Sequence, residues 1–196
     1  MGVAIRTAGA ADRELIVRLL DTAFQDDPVS GWVFPEAEHR REKHPALMAA
    51  FTDIVLAEGR IDVTEDGTAC ALWLSVPAGH QDDEDGPAQV RAAVDPENER
   101  VEVIGRLTAG IHPADRAHEY LWMIGVAPGR QGEGLGTALI TAVLDRCDRE
   151  GLPAYLEASS ARSRSLYERL GYALLDRPLD LPDGPQMWPM WREPKG

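Results

Sequence analysis

The apolar positions of this chain switch between two periods, and the switches predict its elements. Val3 to Thr7 is a short strand candidate. Asp12 can cap a helix carrying Leu15, Val17, Leu19, Leu20 and Phe24 at roughly helical spacing, ended by Asp26-Asp27-Pro28. Residues 29 to 38, with Trp32, Phe34 and Pro35, read as an aromatic-bearing loop. A second helix is predicted over Glu38 to Glu58, with Leu47, Phe51, Ile54 and Val55 inward and Gly59 as its stop. Arg60 to Thr64 and Ala69 to Val76 then read as a hairpin turning at Glu65-Asp66-Gly67. An acidic stretch within Pro77 to Pro87 reads as a solvated loop. Helical spacing resumes near Val90 and across Val101, Ile104 and Leu107.

From Glu119 the pattern sharpens. Tyr120-Leu121-Trp122-Met123-Ile124 is almost continuously apolar, as for a strand buried on both faces. Pro128-Gly129 breaks it, and a helix follows with Leu135, Leu139, Val143 and Cys147 at four-residue steps beside Ile140 and Leu144. Gly151 and Pro153 end that helix. On the next strand Ala154, Leu156 and Ala158 face one way, and Tyr155, Glu157 and Ser159 the other. A short helix over 161 to 170 closes at Gly171. Tyr172 to Asp180 and Gln186 to Arg192 are predicted to pair around Asp183-Gly184. No repeat or linker interrupts the chain, so residues 1–196 read as a single domain.

Composition narrows the setting. The chain is 196 residues long, 44% hydrophobic and 27% charged, enough to bury a core without staples. Its two cysteines, Cys70 and Cys147, form no C-x-x-C pair, which argues against a disulfide scaffold or a zinc site. His39, His44, His80 and His112 show no metal spacing and are expected at the surface or capping helices, so no metal is expected. No apolar run is long enough to cross a bilayer, and a cytoplasmic location is the expectation. The net charge of −13 disfavours nucleic acid and suits a cationic small molecule or basic peptide.

The candidate chemistry sits between the buried strand and its helix. Gln131-Gly132-Glu133-Gly134-Leu135-Gly136 puts glycines where a helix begins, and a helix start offers unpaired amides and the positive end of its dipole. Arg130 adds a positive charge. An ATP-binding P-loop would need lysine where Leu135 stands. A dinucleotide fingerprint would place its third small residue at Thr137 and usually opens several βαβ units. The remaining pattern, Gln/Arg-x-x-Gly-x-Gly/Ala, is the acetyl-CoA loop, matched by Gln131, Gly134 and Gly136. Farther on, Ser160, Ser163 and Tyr167 recur at helical spacing, a polar strip suited to a helix lying along a ligand.

Loop and tyrosine helix together, over about 119–172, resemble the GNAT superfamily of acetyl-CoA-dependent N-acetyltransferases. Gly151 to Glu157, Tyr167 to Tyr172 and Leu181 to Pro185 further resemble the puromycin N-acetyltransferase-like group, as does Ala23 to Pro28 more weakly. The resemblance implies an α/β (α+β) fold: a mixed, mostly antiparallel sheet with a splayed parallel strand pair, flanked by helices. It implies acetyl-CoA as co-substrate. Backbone at Ile124, Gly125 and Val126 would pair with pantetheine, amides from Gln131 through Gly132, Glu133, Gly134, Leu135 and Gly136 to Thr137 would hold pyrophosphate, and Ser160 and Ser163 would lie along it. Tyr167 would sit near the sulfur, and a homodimer is a common arrangement in the superfamily.

Acetylating an amine sets chemical demands. An alkyl amine is about 99.9% protonated at pH 7, a cost of roughly 4 kcal/mol. A base is therefore useful, as are a donor for the thioester oxygen and an acid for the thiolate. Glu157, on the strand's polar face, is the candidate base and Tyr167 the candidate acid; Asp26, Asp27 and His118 are weaker bases. Asp27 and Trp32 are candidates for substrate binding. In the resembling group an aromatic residue stands where this chain has Asp27, and asparagine is commoner at Ser163. That argues against puromycin itself as acceptor while keeping a cationic small-molecule amine. A protein or peptide acetyltransferase, a non-catalytic acetyl-CoA sensor and a nucleotide-binding domain are the competing readings.

Overall fold

The computed structural model describes residues 2–81 and 83–196. The chain orders as β1 (Ile5–Thr7), α1 (Arg13–Phe24), α2 (Pro28–Val33), α3 (Ala37–Glu58), β2 (Arg60–Thr64), β3 (Ala69–Val76), α4 (Gly86–Val94), α5 (Glu99–Ala109), β4 (His118–Val126), α6 (Leu135–Glu150), β5 (Ala154–Ala158), α7 (Ala161–Arg169), β6 (Ala173–Leu174), β7 (Leu179–Asp180) and β8 (Gln186–Arg192). The sheet runs β1-β2-β3-β4-β5-β8-β6, with β7 paired to β8 off that path. Every pairing is antiparallel except β4 with β5. This is the mixed sheet with one parallel pair that the sequence led us to expect.

Strand alternation divides the core in two. Cys70 and Leu72 of β3 pack with Ile16, Leu20, Leu47, Met48 and Val55 of α1 and α3. Ala69, Ala71 and Trp73 pack instead with Leu139, Ile140, Val143 and Leu144 of α6. On β5, Ala154, Leu156 and Ala158 join the α6 side, while Tyr155 packs with Val76 and Tyr120 on the other face. The two-faced reading of this strand is correct.

Two elements differ from expectation. Residues 28–33 form a helix rather than a loop. Asp27 is extended and its carboxylate accepts from the Val29 amide at 2.9 Å, while Pro28 occupies the first turn, where no amide is needed. The pair that looked like a stop for α1 is also the start of α2. The predicted strand over Tyr172 to Asp180 breaks into β6 and β7. Asp176 adopts a positive φ of 58°, and Pro178 supplies no amide for a ladder.

An ion pair closes the C-terminal edge. Arg192 on β8 is only 3% exposed, and its guanidinium donates to both Asp148 oxygens at 2.7 and 2.8 Å and to the Leu170 carbonyl at 3.1 Å. One side chain thus ties β8 to α6 and to the end of α7. Asp148→Asn leaves that guanidinium buried against a neutral amide. It is expected to lower stability by about 2 kcal/mol, read as a reduced urea midpoint with an unchanged m-value.

Candidate active site

The parallel pairing of β4 and β5 is brief. Only Glu119, Tyr120 and Leu121 pair, with Ala154, Tyr155 and Leu156. On its other edge β4 slips register against β3: Leu72 faces Met123 and Trp73 faces Leu121, so Trp122 is bulged out. A bulge bends its strand and raises the local twist. It falls where β4 leaves β5, and from there the two strands splay. A cavity of about 950 Å³ opens at this gap.

The glycine loop forms one end of the cavity. Gly129, Gly132 and Gly134 take φ values of 83°, 87° and 82°, a region that disfavours side chains. A Cβ at any of the three would meet nothing within 4 Å, so backbone conformation rather than crowding calls for glycine. No side chain caps α6, whose first turn faces the cavity through Leu135, Gly136 and Thr137. Gln131, Gly132 and Gly134 line the same wall, opposite Ile124 and Val126 of β4. Two loop-region candidates do not line it. Glu133 turns away to accept from Arg130 Nε at 2.8 Å, and Arg130 also donates to Asp66 at 3.2 Å. Arg130's charge is therefore already matched by two carboxylates. Gly125 faces α1, where a Cβ would come 3.2 Å from Leu20 and 3.4 Å from Ala23.

Glu157 and Tyr167 both line the cavity. Glu157 Oε2 accepts from the Tyr120 hydroxyl at 2.6 Å, across the last stretch of parallel pairing. Tyr167 is 6% exposed, and its hydroxyl pKa is pushed well above its ordinary value by burial and by the nearby Asp27. It stays protonated at any working pH, the state an acid needs. Ser160 and Ser163 also line the cavity, but their hydroxyls serve the start of α7. Ser160 Oγ accepts from the Ser163 amide at 3.2 Å, and Ser163 Oγ from the Ser160 amide at 3.2 Å.

Asp27 lines the cavity and is tied across it. Ser159, two residues beyond Glu157, donates to Asp27 Oδ2 at 2.6 Å. Burial raises the Asp27 pKa, opposed by Ser159 and the Val29 and Ser30 amides. Trp32 lies outside the lining. Its indole donates to the Pro182 carbonyl at 2.8 Å and is covered by Gly184, where a Cβ would sit 2.3 Å from the ring. Trp32 is a core residue anchoring the 181–185 turn, not a wall of the cavity.

The rest of the wall came from elements without a motif. Phe51 and Ile54 of α3, Trp122 of β4, and Val90, Val101 and Ile104 of α4 and α5 give it an apolar side. Phe51 and Trp122 stack obliquely at 4.8 Å. His112, expected at the surface, lines the cavity with its ring edge against Tyr120 at 4.6 Å, and it contacts His118 Nε2 at 3.0 Å. His44, also expected outside, is 0% exposed. His118 is 2% exposed behind Tyr155, outside the lining. Among the described residues no group of three His, Cys, Asp or Glu side chains could hold a metal, and no helix is long and apolar enough to cross a membrane.

A parallel pair that parts early, a helix start with no side-chain cap and the cavity between them fit the class of an acyl-group transferase. Comparison with known proteins names the family. Residues 65–172 match the acetyltransferase (GNAT) family, and the chain belongs to it. It is an acetyltransferase, and the family's co-substrate is acetyl-CoA. An uncharacterized N-acetyltransferase of Schizosaccharomyces pombe is 28% identical over 87% of this chain and 74% of its own length. A solved Corynebacterium glutamicum structure, described as histone acetyltransferase HPA2 and related acetyltransferase, superposes with a TM-score of 0.76. It is 27% identical and covers 100% of this chain and 98% of its own. A mycothiol acetyltransferase of Streptomyces avermitilis is 40% identical over 37% of this chain, a match spanning 24% of that relative.

The buried histidines make a pH prediction. Burial, with smaller contributions from His118 and His80, pushes His112 down to about 4. His44 and His118 are lowered too, again chiefly by burial. Below about pH 6.5 the unfolded chain takes up protons at these sites that the folded chain refuses, so stability falls with pH. The melting temperature should drop as pH is lowered from 6.5 towards 4. His112→Gln should flatten that slope, and an unchanged slope would refute the assignment.

Proposed function

We propose that the cavity acetylates the primary amine of a small molecule, with acetyl-CoA laid in the gap between β4 and β5. The observation that carries this is the convergence of Glu157 and Tyr167 on one cavity at the point where the parallel pairing ends. The pyrophosphate would rest on the amides from Gln131 to Thr137 at the start of α6. Glu157 would take a proton from the attacking nitrogen, and Tyr167 would give one to the departing thiolate. A backbone N–H near Val126 would face the thioester oxygen as it gains charge.

The acceptor side favours a small cationic amine with an apolar body. α4 and α5 supply apolar wall, together with Phe51 and Trp122. Asp27 supplies a partly buried carboxylate that gains from a cation nearby. The likeness to the puromycin N-acetyltransferase-like group adds weight to an antibiotic-like amine, and its 181–185 segment is the turn that holds Trp32. A homodimer would accord with the superfamily's habit.

Acetyl-CoA consumption across puromycin, aminoglycosides, polyamines and peptides tests the acceptor class. Turnover of a small amine is expected, and turnover of peptides alone would overturn the reading. With that amine, Glu157→Gln should lower kcat by about 10²–10³-fold and Tyr167→Phe by about tenfold or more, with CoA affinity retained. Unchanged kcat in both variants would remove the base and acid roles from these two residues. Gly134→Ala tests the cradle separately. It forces a side chain into φ 82° at a strain of about 1–2 kcal/mol. CoA affinity by calorimetry should fall while the fold persists by circular dichroism.

A further inference from the structure

Three helices meet at a chain of side chains that none of the chemistry above uses. Ser30 on α2 lines the cavity, and its Oγ lies 3.1 Å from His44 Nε2. His44, on α3, is fully buried, and its Nδ1 lies 2.7 Å from Asp21 Oδ1 on α1. Gln25 donates to the same Asp21 oxygen at 2.7 Å. The Asp21 side chain is 24% exposed and lies outside the cavity lining. Asp21 fixes the proton on Nδ1 and leaves Nε2 to accept from the Ser30 hydroxyl. The chain therefore begins at the cavity wall, crosses the core in one imidazole and ends at solvent.

The residue types are those of a serine nucleophile with its base, yet the surroundings decide against acyl transfer to Ser30. An oxyanion at Ser30 would need backbone donors. The Val29 and Ser30 amides are held by the Asp27 carboxylate, and the Gly31 amide donates to the Asp27 carbonyl at 2.9 Å. No amide at the head of α2 is left for an oxyanion.

We infer that Ser30, His44 and Asp21 form a proton exit that carries the acceptor's surplus proton from the cavity to bulk water. This rests on the reading of the cavity as an amine-acetylation site. An ammonium brings three N–H protons, the amide keeps one and the thiol takes one, so one must leave. As an ammonium N–H breaks, Ser30 Oγ takes its proton and passes its own to His44 Nε2. The Nδ1 proton then moves to Asp21 and to water. The freed amine attacks: the C–N bond forms, and the C–S pair departs on sulfur. Glu157 takes the second nitrogen proton, Tyr167 gives one to the thiolate, and the proton on Glu157 then passes through cavity water to restore Tyr167. Ser30 is the group that would touch substrate; His44 and Asp21 position and discharge it. The charged groups facing the imidazole are Asp21 from α1, Asp27 from the head of α2, and Arg40 one turn earlier on α3.

Two measurements on the intact 196-residue chain test this. The first uses an amine that the wild type acetylates. His44→Gln keeps hydrogen-bonding atoms but cannot relay a proton. Its kcat should fall about 10²-fold, with the KM for acetyl-CoA unchanged and the acidic limb of the pH–kcat profile lost. Ser30→Ala should match it, and Ser30→Thr should restore most of the rate. Wild-type kcat and acidic limb in His44→Gln would overturn the proposal, as would an acetyl adduct on Ser30 by intact mass. The second is histidine NMR of the resting enzyme and needs no acceptor. A relay open to solvent exchanges the His44 ring N–H protons with water quickly while the protein stays folded. His44 ring protons that exchange only as slowly as the core amides would overturn the exit. Failure to acetylate any amine would sink the functional reading by itself, and the NMR result would still judge the relay.

Discussion

The slip at Trp122 is the constraint on which the rest of this molecule turns. A parallel pair normally continues for as long as both strands last, because each added residue contributes ladder hydrogen bonds. Here β4 runs to Val126 and β5 to Ala158, yet their pairing stops at Leu121 and Leu156. The forfeited hydrogen bonds are compensated where the structure has something else to place: the bulge turns β4 away, and a cavity opens in the middle of the sheet. Backbone of β4 beyond Leu121 is thereby left without β5 as its neighbour, beside the cavity. The glycine loop then follows from chain order, since the strand that splays is the one that feeds α6.

A gap in a sheet also has to be held open. Asp27 and Ser159 hydrogen-bond across the cavity at 2.6 Å and tie the head of α2 to the end of β5. Tyr120 and Glu157 bind at 2.6 Å at the point where the strands are still paired. These two contacts bracket the polar side of the gap, while Phe51 and Trp122 fill the apolar side. The same residues that brace the opening thus set its chemistry. A carboxylate has lone pairs for more than one donor, so the Tyr120 contact does not use up Glu157.

How far the sequence could be read follows from where its signals are local. The stretch from β4 through α7 was readable because each element carries its own period, and the acetyl-CoA loop adds fixed spacing. Glu157 and Tyr167, which line the cavity, lie in that same stretch. Glu133 and Gly125 are candidates through their backbone alone; the Glu133 carboxylate faces Arg130 and Gly125 packs on α1. The slip at Trp122 left no trace, since an unbroken apolar run looks the same with or without a bulge. Asp27-Pro28 carries two meanings, the end of one helix and the cap of the next, and the local pattern marks only the first. His44 follows the charged run Arg40-Arg41-Glu42-Lys43 and so looked exposed. Its burial depends on α1 and α2 closing over it, which no local pattern records.

The apolar wall of the cavity shows the same limit at larger scale. The side next to the glycine loop is built from consecutive elements, β4, α6, β5 and α7, so its spacing survives in the chain. The other side is assembled from α3, α4, α5 and the rim near His112, which are far apart in sequence. Each contributes one or two side chains, and each of those also packs the core. A change from Val to Ile there would alter the chamber without altering any motif. The apolar wall and the half-buried Asp27 are therefore properties of how these separate elements pack, which no sequence likeness records.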